Sequence, residues 1–383
     1  MRLTATRTTT TNPLIQLGQL GQSPWYDFIT RDLVTSGELA RLIAEDGLRG
    51  MTTNPTIFEK AVAGSDLYDA DIRRLAAEGR APAAIFESLA VADVQAACDL
   101  FLPIHRSSAG LDGLVSIEVS PTLAHDTAGT IAEAERLWRR IGRPNVMIKI
   151  PGTAEGLTAI SHCLADGVNV NVTLLFSVAR YRQVVEAFFS GLERRVAAGH
   201  SIVGIASVAS FFVSRLDGKV DPLLDRMGGA AAGGAAHGRP LLRGRAAIAN
   251  ACAAYEAFEE LFQSPRWRAL ASRGGLVQRP LWASTSTKDP NLPDVYYVEA
   301  LIADQTVNTL PPATFAAYRD HGQPAQRIPG GTAEARATLR QLAELGIDLE
   351  ELTRALEAEG VASFAASFAS LLSVIERKAV SLA

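Results

Sequence analysis

Cysteine is scarce. The 383 residues hold three, Cys98, Cys163 and Cys252, with no Cys-x-x-Cys among them. That spacing excludes a disulfide framework and a thiolate zinc site, and leaves three small apolar fillers suited to a reducing compartment. Histidine is sparse too. His105, His125, His162, His200, His237 and His321 fall without ligand spacing, so no metal centre is expected. Neither sign of charge prevails: 37 basic against 41 acidic residues leave −4, which argues against a chain-wide attraction to nucleic acid or anionic membrane. No stretch of roughly 18 consecutive apolar residues occurs, and the Thr-rich start has no apolar signal core. Nucleotide and flavin fingerprints are missing as well. What remains is a cytoplasmic globular protein of ordinary composition, 48% hydrophobic and 20% charged.

Against that background Asn145–Thr153, NVMIKIPGT, stands out. Val146, Met147, Ile148 and Ile150 form a short apolar run ending in a Pro-Gly turn signal, the pattern of a buried parallel strand. Lys149 sits inside it. Lysine is rarely fully buried unless paired, and desolvation disfavours the ammonium, so a free amine is expected there. A free amine at a strand's end attacks a ketone or aldehyde to form a Schiff base. A structural lysine neutralised by a carboxylate is the plain alternative.

Strand-like and helical stretches alternate about eight times. The strand signals lie near 25–29, 50–53, 113–121, 146–150, 166–177, 202–212, 276–284 and 306–310, with amphipathic segments between them. Ser36 is read as the cap of the helix over 38–46, and Asn54-Pro55 as a turn closing the second strand. The pattern predicts an α/β fold, a (β/α)8 TIM barrel with extra C-terminal helices, ahead of a doubly wound sheet. Residues 1–22 are expected to be a poorly ordered lead-in, 23–330 the barrel, and 331–383 a helical extension packed on it. That extension is read as two helices, over 349–359 and 361–380, the first opened by an Asp348/Glu351 capping box. Residues 227–240 are Gly/Ala-rich and read as a surface insertion. Gly233 and Gly238 there have a phosphate-loop gap, but Arg239 and Pro240 replace the required Lys and Ser/Thr.

Strand side chains alternate between faces. Ser116, Glu118 and Ser120 oppose Ile117 and Val119; Met147 and Lys149 oppose Ile148 and Ile150; Asn169, Asn171 and Thr173 oppose Val170, Val172 and Leu174. In a barrel the apolar sets face the helices, and polar residues near the C-terminal strand ends converge on one mouth, where active sites of this architecture sit.

Five motifs in order carry a family resemblance: Thr52-Thr53-Asn54-Pro55, Ser116-Ile117-Glu118-Val119, Ile148-Lys149-Ile150-Pro151, Asn171-Val172-Thr173-Leu174-Leu175-Phe176-Ser177 and Trp282-Ala283-Ser284-Thr285. From Trp25 to Leu310 the chain resembles the transaldolase family, in its longer bacterial branch. The resemblance implies Schiff-base transfer of a dihydroxyacetone unit from sedoheptulose 7-phosphate to glyceraldehyde 3-phosphate, giving erythrose 4-phosphate and fructose 6-phosphate in the pentose phosphate pathway. It implies Lys149 as the imine-forming amine, Asp27 as the base for carbon–carbon cleavage, and Glu118 with Thr173 as the acid/base pair acting through a bound water. Asn54, Asn171 and Ser210 match substrate-hydroxyl contacts, Phe212 an aromatic wall, and Arg215 and Ser284 the phosphate end. Many relatives carry an arginine two places after Ser284; here Ser286 stands there, and Lys288 is expected to supply the cation. No cofactor is expected, since the imine replaces one. The expected partners are small sugar phosphates, without nucleic acid or membrane, with the chain a monomer or homodimer. The related aldolases, which release free dihydroxyacetone, typically have glutamine at the position of Glu118 and tyrosine at that of Phe212. A catalytically dead sugar-phosphate sensor would be expected to have lost Lys149 or a carboxylate.

Overall fold

The computed structural model describes residues 12–230 and 242–382. Eight strands close a barrel in sequence order: β1 Gln22–Asp27, β2 Gly50–Thr52, β3 Leu114–Glu118, β4 Val146–Pro151, β5 Val170–Leu175, β6 Ser207–Phe212, β7 Arg279–Ala283 and β8 Thr306–Leu310. Every pairing is parallel, and β1 returns to β8. The expected (β/α)8 barrel is borne out. A parallel sheet covered by helices buries both faces, and β4, β5 and β6 are buried at every position.

Register aligns the chemistry. Glu118 pairs with Lys149 and Lys149 with Asn171, so three polar residues of adjacent strands stand at one level. Asp27 pairs with Thr52 on the other side of the mouth. Residues just past the strand ends start the next helices: the side chains of Thr30, Asn54, Thr153 and Ser177 accept from Leu33, Ile57, Gly156 and Arg180 backbone N–H groups. Satisfying an otherwise orphaned N–H fixes where each helix leaves the barrel rim.

Several local expectations are corrected. Pro13–Gln19 is a helix that buries Leu14 and Leu17, so this part of the lead-in is ordered core; residues 1–11 lie outside the described residues. Asn54-Pro55 opens a helix, Pro55–Ala63, instead of a turn, because Pro is well placed at N1 behind an Asn cap. Gly37, at φ 90°, takes the cap position expected of Ser36. Helix Ser214–Ala230 runs into the Gly/Ala-rich stretch; the rest of that expected insertion, 231–240, lies outside the described residues. The helical extension begins at Ile328, three residues before the expected boundary.

The two expected C-terminal helices are one, Leu349–Leu382, uninterrupted at Gly360. A Cβ on Gly360 would meet Leu174 Cδ2 at 3.0 Å, so the glycine permits close approach to the end of β5. By length and composition this helix could cross a membrane, at mean hydropathy 1.6 over its most apolar window. Here it lies on the barrel, with Leu356, Phe364, Leu371 and Ile375 buried. Among the described residues the three cysteines are free and buried.

Gly50 tests the β1–β2 register. A Cβ there would fall 2.4 Å from Cε2 of the fully buried Trp25 ring, its register partner. Gly50→Ala is expected to cost about 1–3 kcal/mol by overpacking, read as a lowered urea midpoint. An unchanged midpoint would contradict this packing.

Candidate active site

Lys149 projects from β4 with its side chain 5% exposed. Its Nζ donates to the Thr53 carbonyl at 3.1 Å and lies 3.8 Å from Glu118 Oε2. Thr53 is held in turn, since its hydroxyl donates to the Ser116 carbonyl at 2.9 Å. Beneath the lysine, Asn171 Nδ2 donates to Ser116 Oγ at 2.9 Å, and Ser210 Oγ donates to Asn171 Oδ1 at 2.7 Å. This chain ties β3, β5 and β6 together around β4. Asn171, wholly buried, therefore positions Ser116 and Ser210 in this structure; it does not line the open cavity.

That cavity, of 390 Å³, occupies the C-terminal mouth, within the usual range for small-molecule sites. Asp27, Asn54, Lys149 and Ser210 stand at the lysine, while Phe212, Arg215, Ser284 and Lys288 also line the same space. Glu118 lines a neighbouring, mainly apolar cavity of 380 Å³, with Asn54 common to both. Both Glu118 carboxylate oxygens and the Thr173 hydroxyl are buried without a hydrogen-bond partner. Buried polar atoms left in this state are costly, so the site holds acceptors and a hydroxyl ready for a small polar group.

Burial raises both carboxyls, each against different neighbours. Burial pushes Glu118 up to about 7, opposed by Lys149 and reinforced by Asp27. Burial also raises Asp27, while Lys149, the Thr52 hydroxyl and Arg215 pull it back. Thr52 Oγ1 donates to Asp27 Oδ1 at 2.7 Å and shares a 2.6 Å bond with Thr309 Oγ1. Carboxyls in unlike surroundings can take separate acid and base roles.

Asn54 spends its Oδ1 on the helix cap at 3.0 Å, leaving its Nδ2 as the group free to meet a ligand oxygen. At the outer end the Arg215 guanidinium lies 5.1 Å from the Phe212 ring centroid, and burial lowers its pKa. Ser284 shares a 3.0 Å bond with Ser214, and the exposed Lys288 donates to Ser286 at 3.2 Å. The arrangement suits an anionic group on Arg215 and Lys288 with the rest of the ligand reaching inward to Lys149.

Sequence reasoning missed Lys60, Thr309 and Phe364, all lining this cavity. Lys60 becomes placeable once Asn54-Pro55 is read as a helix start, because it lies about one and a half turns down that helix. Phe364 carries no such signal; it is one apolar residue among many in the C-terminal helix. Among the described residues the one group of close metal-ligand types is Glu135, His162 and Asp166, outside the barrel mouth and partly exposed, with Arg139 also paired to Glu135.

The chain matches the model of the family described as Transaldolase/Fructose-6-phosphate aldolase over residues 24–375. It is 51% identical over 368 residues to a protein of Acidothermus cellulolyticus named Transaldolase, covering 96% of this chain and 97% of that one. A Nostoc protein named Transaldolase 2 is 48% identical over 373 residues, with 96% and 97% covered. One named Transaldolase from Parafrankia is 47% identical over 367 residues, with 96% and 98% covered.

The raised Glu118 pKa sets a pH dependence of stability. Folded Glu118 keeps its proton up to about 7, whereas in the unfolded chain it loses it near the ordinary glutamate value of 4.5. Between those values the folded state binds more protons, so this group's contribution weakens as pH rises. Glu118→Gln is expected to gain stability relative to the parent by about 1–3 kcal/mol between pH 5 and pH 8, measured by urea unfolding at each pH. A pH-independent difference would contradict the assignment.

Proposed function

The chain belongs to the transaldolase/fructose-6-phosphate aldolase family, and we infer that its barrel performs the transferase reaction of that family. It moves a dihydroxyacetone unit from sedoheptulose 7-phosphate to glyceraldehyde 3-phosphate, releasing erythrose 4-phosphate and forming fructose 6-phosphate, in the non-oxidative pentose phosphate pathway. The observation that carries this reading is the Lys149 amine, enclosed in the barrel with Glu118 at 3.8 Å and opening on the cavity that Asp27 also lines.

The roles follow from position. The Lys149 lone pair adds to the donor C2 carbonyl, and loss of water gives a protonated imine. Glu118 and Thr173 hold the water that carries protons through that step. Asp27 takes the C4 hydroxyl proton, the C3–C4 bond breaks, and its electron pair moves into the imine to leave an enamine. The acceptor aldehyde then forms the new carbon–carbon bond, and hydrolysis frees the lysine. Asn54 and Ser210 hold substrate hydroxyls, with Asn171 aligning Ser210, and Phe212 forms an apolar wall. Arg215, Ser284 and Lys288 receive the phosphate, with Lys60 a further cation on the same cavity. The imine is the electron sink, so the reaction requires no cofactor or metal. We place the enzyme in the cytoplasm, acting on small sugar phosphates without nucleic acid or membrane, as monomer or homodimer.

The test uses fructose 6-phosphate and erythrose 4-phosphate with EDTA-treated enzyme and no added cofactor. Sedoheptulose 7-phosphate and glyceraldehyde 3-phosphate are expected in equal amounts; free dihydroxyacetone as the main product would assign an aldolase instead. Asp27→Asn is expected to lower kcat by about 10²–10⁴-fold. Lys288→Ala is expected to raise KM for phosphorylated substrates about tenfold, the worth of ~1.4 kcal/mol. Equal effects on phosphorylated and unphosphorylated donors would remove Lys288 from the phosphate site.

A further inference from the structure

The C-terminal helix Leu349–Leu382 places one side chain against the reacting amine. Phe364 is 5% exposed, and its ring centroid is 5.9 Å from Lys149 Nζ. It lines the same cavity as Asp27 and Lys149, which the other buried residues of that helix, such as Leu356 and Leu371, do not. A buried phenylalanine on a packing helix is ordinarily core. This one is also a wall of the mouth.

Its placement is built from both sides. Toward the barrel helices Val178–Ala197 and Ser214–Ala230, Glu357 pairs with Arg180 at 3.3 Å and Glu359 with Lys219 at 2.6 Å. Toward helix Pro55–Ala63, Thr56 donates to Ser367 at 2.8 Å and Ser370 donates to Glu59. Further along, Lys378 pairs with Asp69 at 2.7 Å. Phe364 lies between these straps, one turn beyond Gly360, whose missing Cβ lets the helix sit against Leu174 and Phe176. The ring is therefore held over Lys149 by contacts that do not involve the ring itself.

A transferase of this chemistry has a problem that an aldolase lacks. Once the first aldehyde leaves, the enamine on Lys149 must survive until the acceptor arrives. A solvent proton added to its C3 converts the enamine to an iminium. Water then adds at C2, the C2–N bond breaks with a proton passing to nitrogen, and dihydroxyacetone leaves with the amine restored. No oxidant or reductant is involved. Transfer and loss differ only in whether C3 bonds to an aldehyde carbon or to a proton. An apolar ring beside the nitrogen excludes water, and with it the proton donor, from the neutral enamine.

We propose that Phe364 is a specificity-determining residue: the C-terminal helix presses its ring against the Lys149 adduct to shield the enamine from solvent protons, favouring transfer over release of free dihydroxyacetone. The proposal rests on the transferase reading above.

The experiment compares the parent enzyme, Phe364→Leu and Phe364→Ala in the full chain, after circular dichroism and melting confirm that each is folded. Two rates are measured from fructose 6-phosphate: sedoheptulose 7-phosphate formation with erythrose 4-phosphate present, and free dihydroxyacetone release without acceptor. Borohydride trapping on Lys149 is followed in parallel. The expected result is a release-to-transfer ratio about tenfold higher in Phe364→Ala, intermediate in Phe364→Leu, with imine trapping retained. Deuterium from solvent should enter C3 of the released fragment in step with that ratio. An unchanged ratio, or equal loss of transfer, release and trapping, would overturn the proposal and leave Phe364 as core packing. If the parent itself transfers nothing, it is the functional reading that fails.

Discussion

An amine enclosed in the wall of a barrel is the constraint around which this structure is arranged. Lys149 stands on a strand buried at every position, and its nitrogen finds a carbonyl at 3.1 Å and a carboxylate at 3.8 Å. Isolated charges in such surroundings are very costly. The chain meets the requirement by register: Glu118, Lys149 and Asn171 sit level on three neighbouring strands. Because side chains alternate along a strand, a slip of one residue in β4 would turn the lysine out toward the helices and put Ile148 or Ile150 in the mouth.

The mouth is not built for stability. Glu118 and Thr173 carry buried polar atoms that make no hydrogen bond to another protein group, and two non-glycine residues with positive φ, Leu174 at 59° and Ser284 at 55°, lie at or just beyond the ends of β5 and β7. The β5–β6 register shifts between Val172 and Leu175, so β5 bulges beside Thr173. Left-handed backbone at non-glycine residues costs of order 1–3 kcal/mol each, and bulges re-aim side chains near active sites. The same segment gives Leu174 its contact with Gly360 of the C-terminal helix, so the irregularity of β5 and the seating of that helix share one place in the fold.

Much of this was readable from residues alone, for identifiable reasons. Period-two alternation in β3, β4 and β5 put Glu118, Lys149 and Asn171 on one face, and eight αβ repeats specified closure. The place of Lys288 at the mouth was readable, since it follows closely on the end of β7, next to Ser284. Three things were hidden. A cap followed by proline reads as a turn or as a helix start, so helix Pro55–Ala63 and Lys60 were missed. The resemblance offered Asn171 as a substrate contact, and strand alternation does not reveal that its amide also bonds Ser116 and Ser210. Phe364 lies 215 residues from Lys149 in sequence (364 − 149), on a helix whose apolar face says only that it packs against something; tertiary contact alone selects it.

The proposed mechanism requires Lys149 to carry the sugar fragment as a covalent imine. Borohydride reduction in the presence of fructose 6-phosphate, followed by peptide mass mapping, tests it most directly. A reduced three-carbon adduct is expected only on the peptide containing Lys149, and it should be lost in Lys149→Met together with transfer activity. A label on another lysine, or full turnover in Lys149→Met, would contradict it.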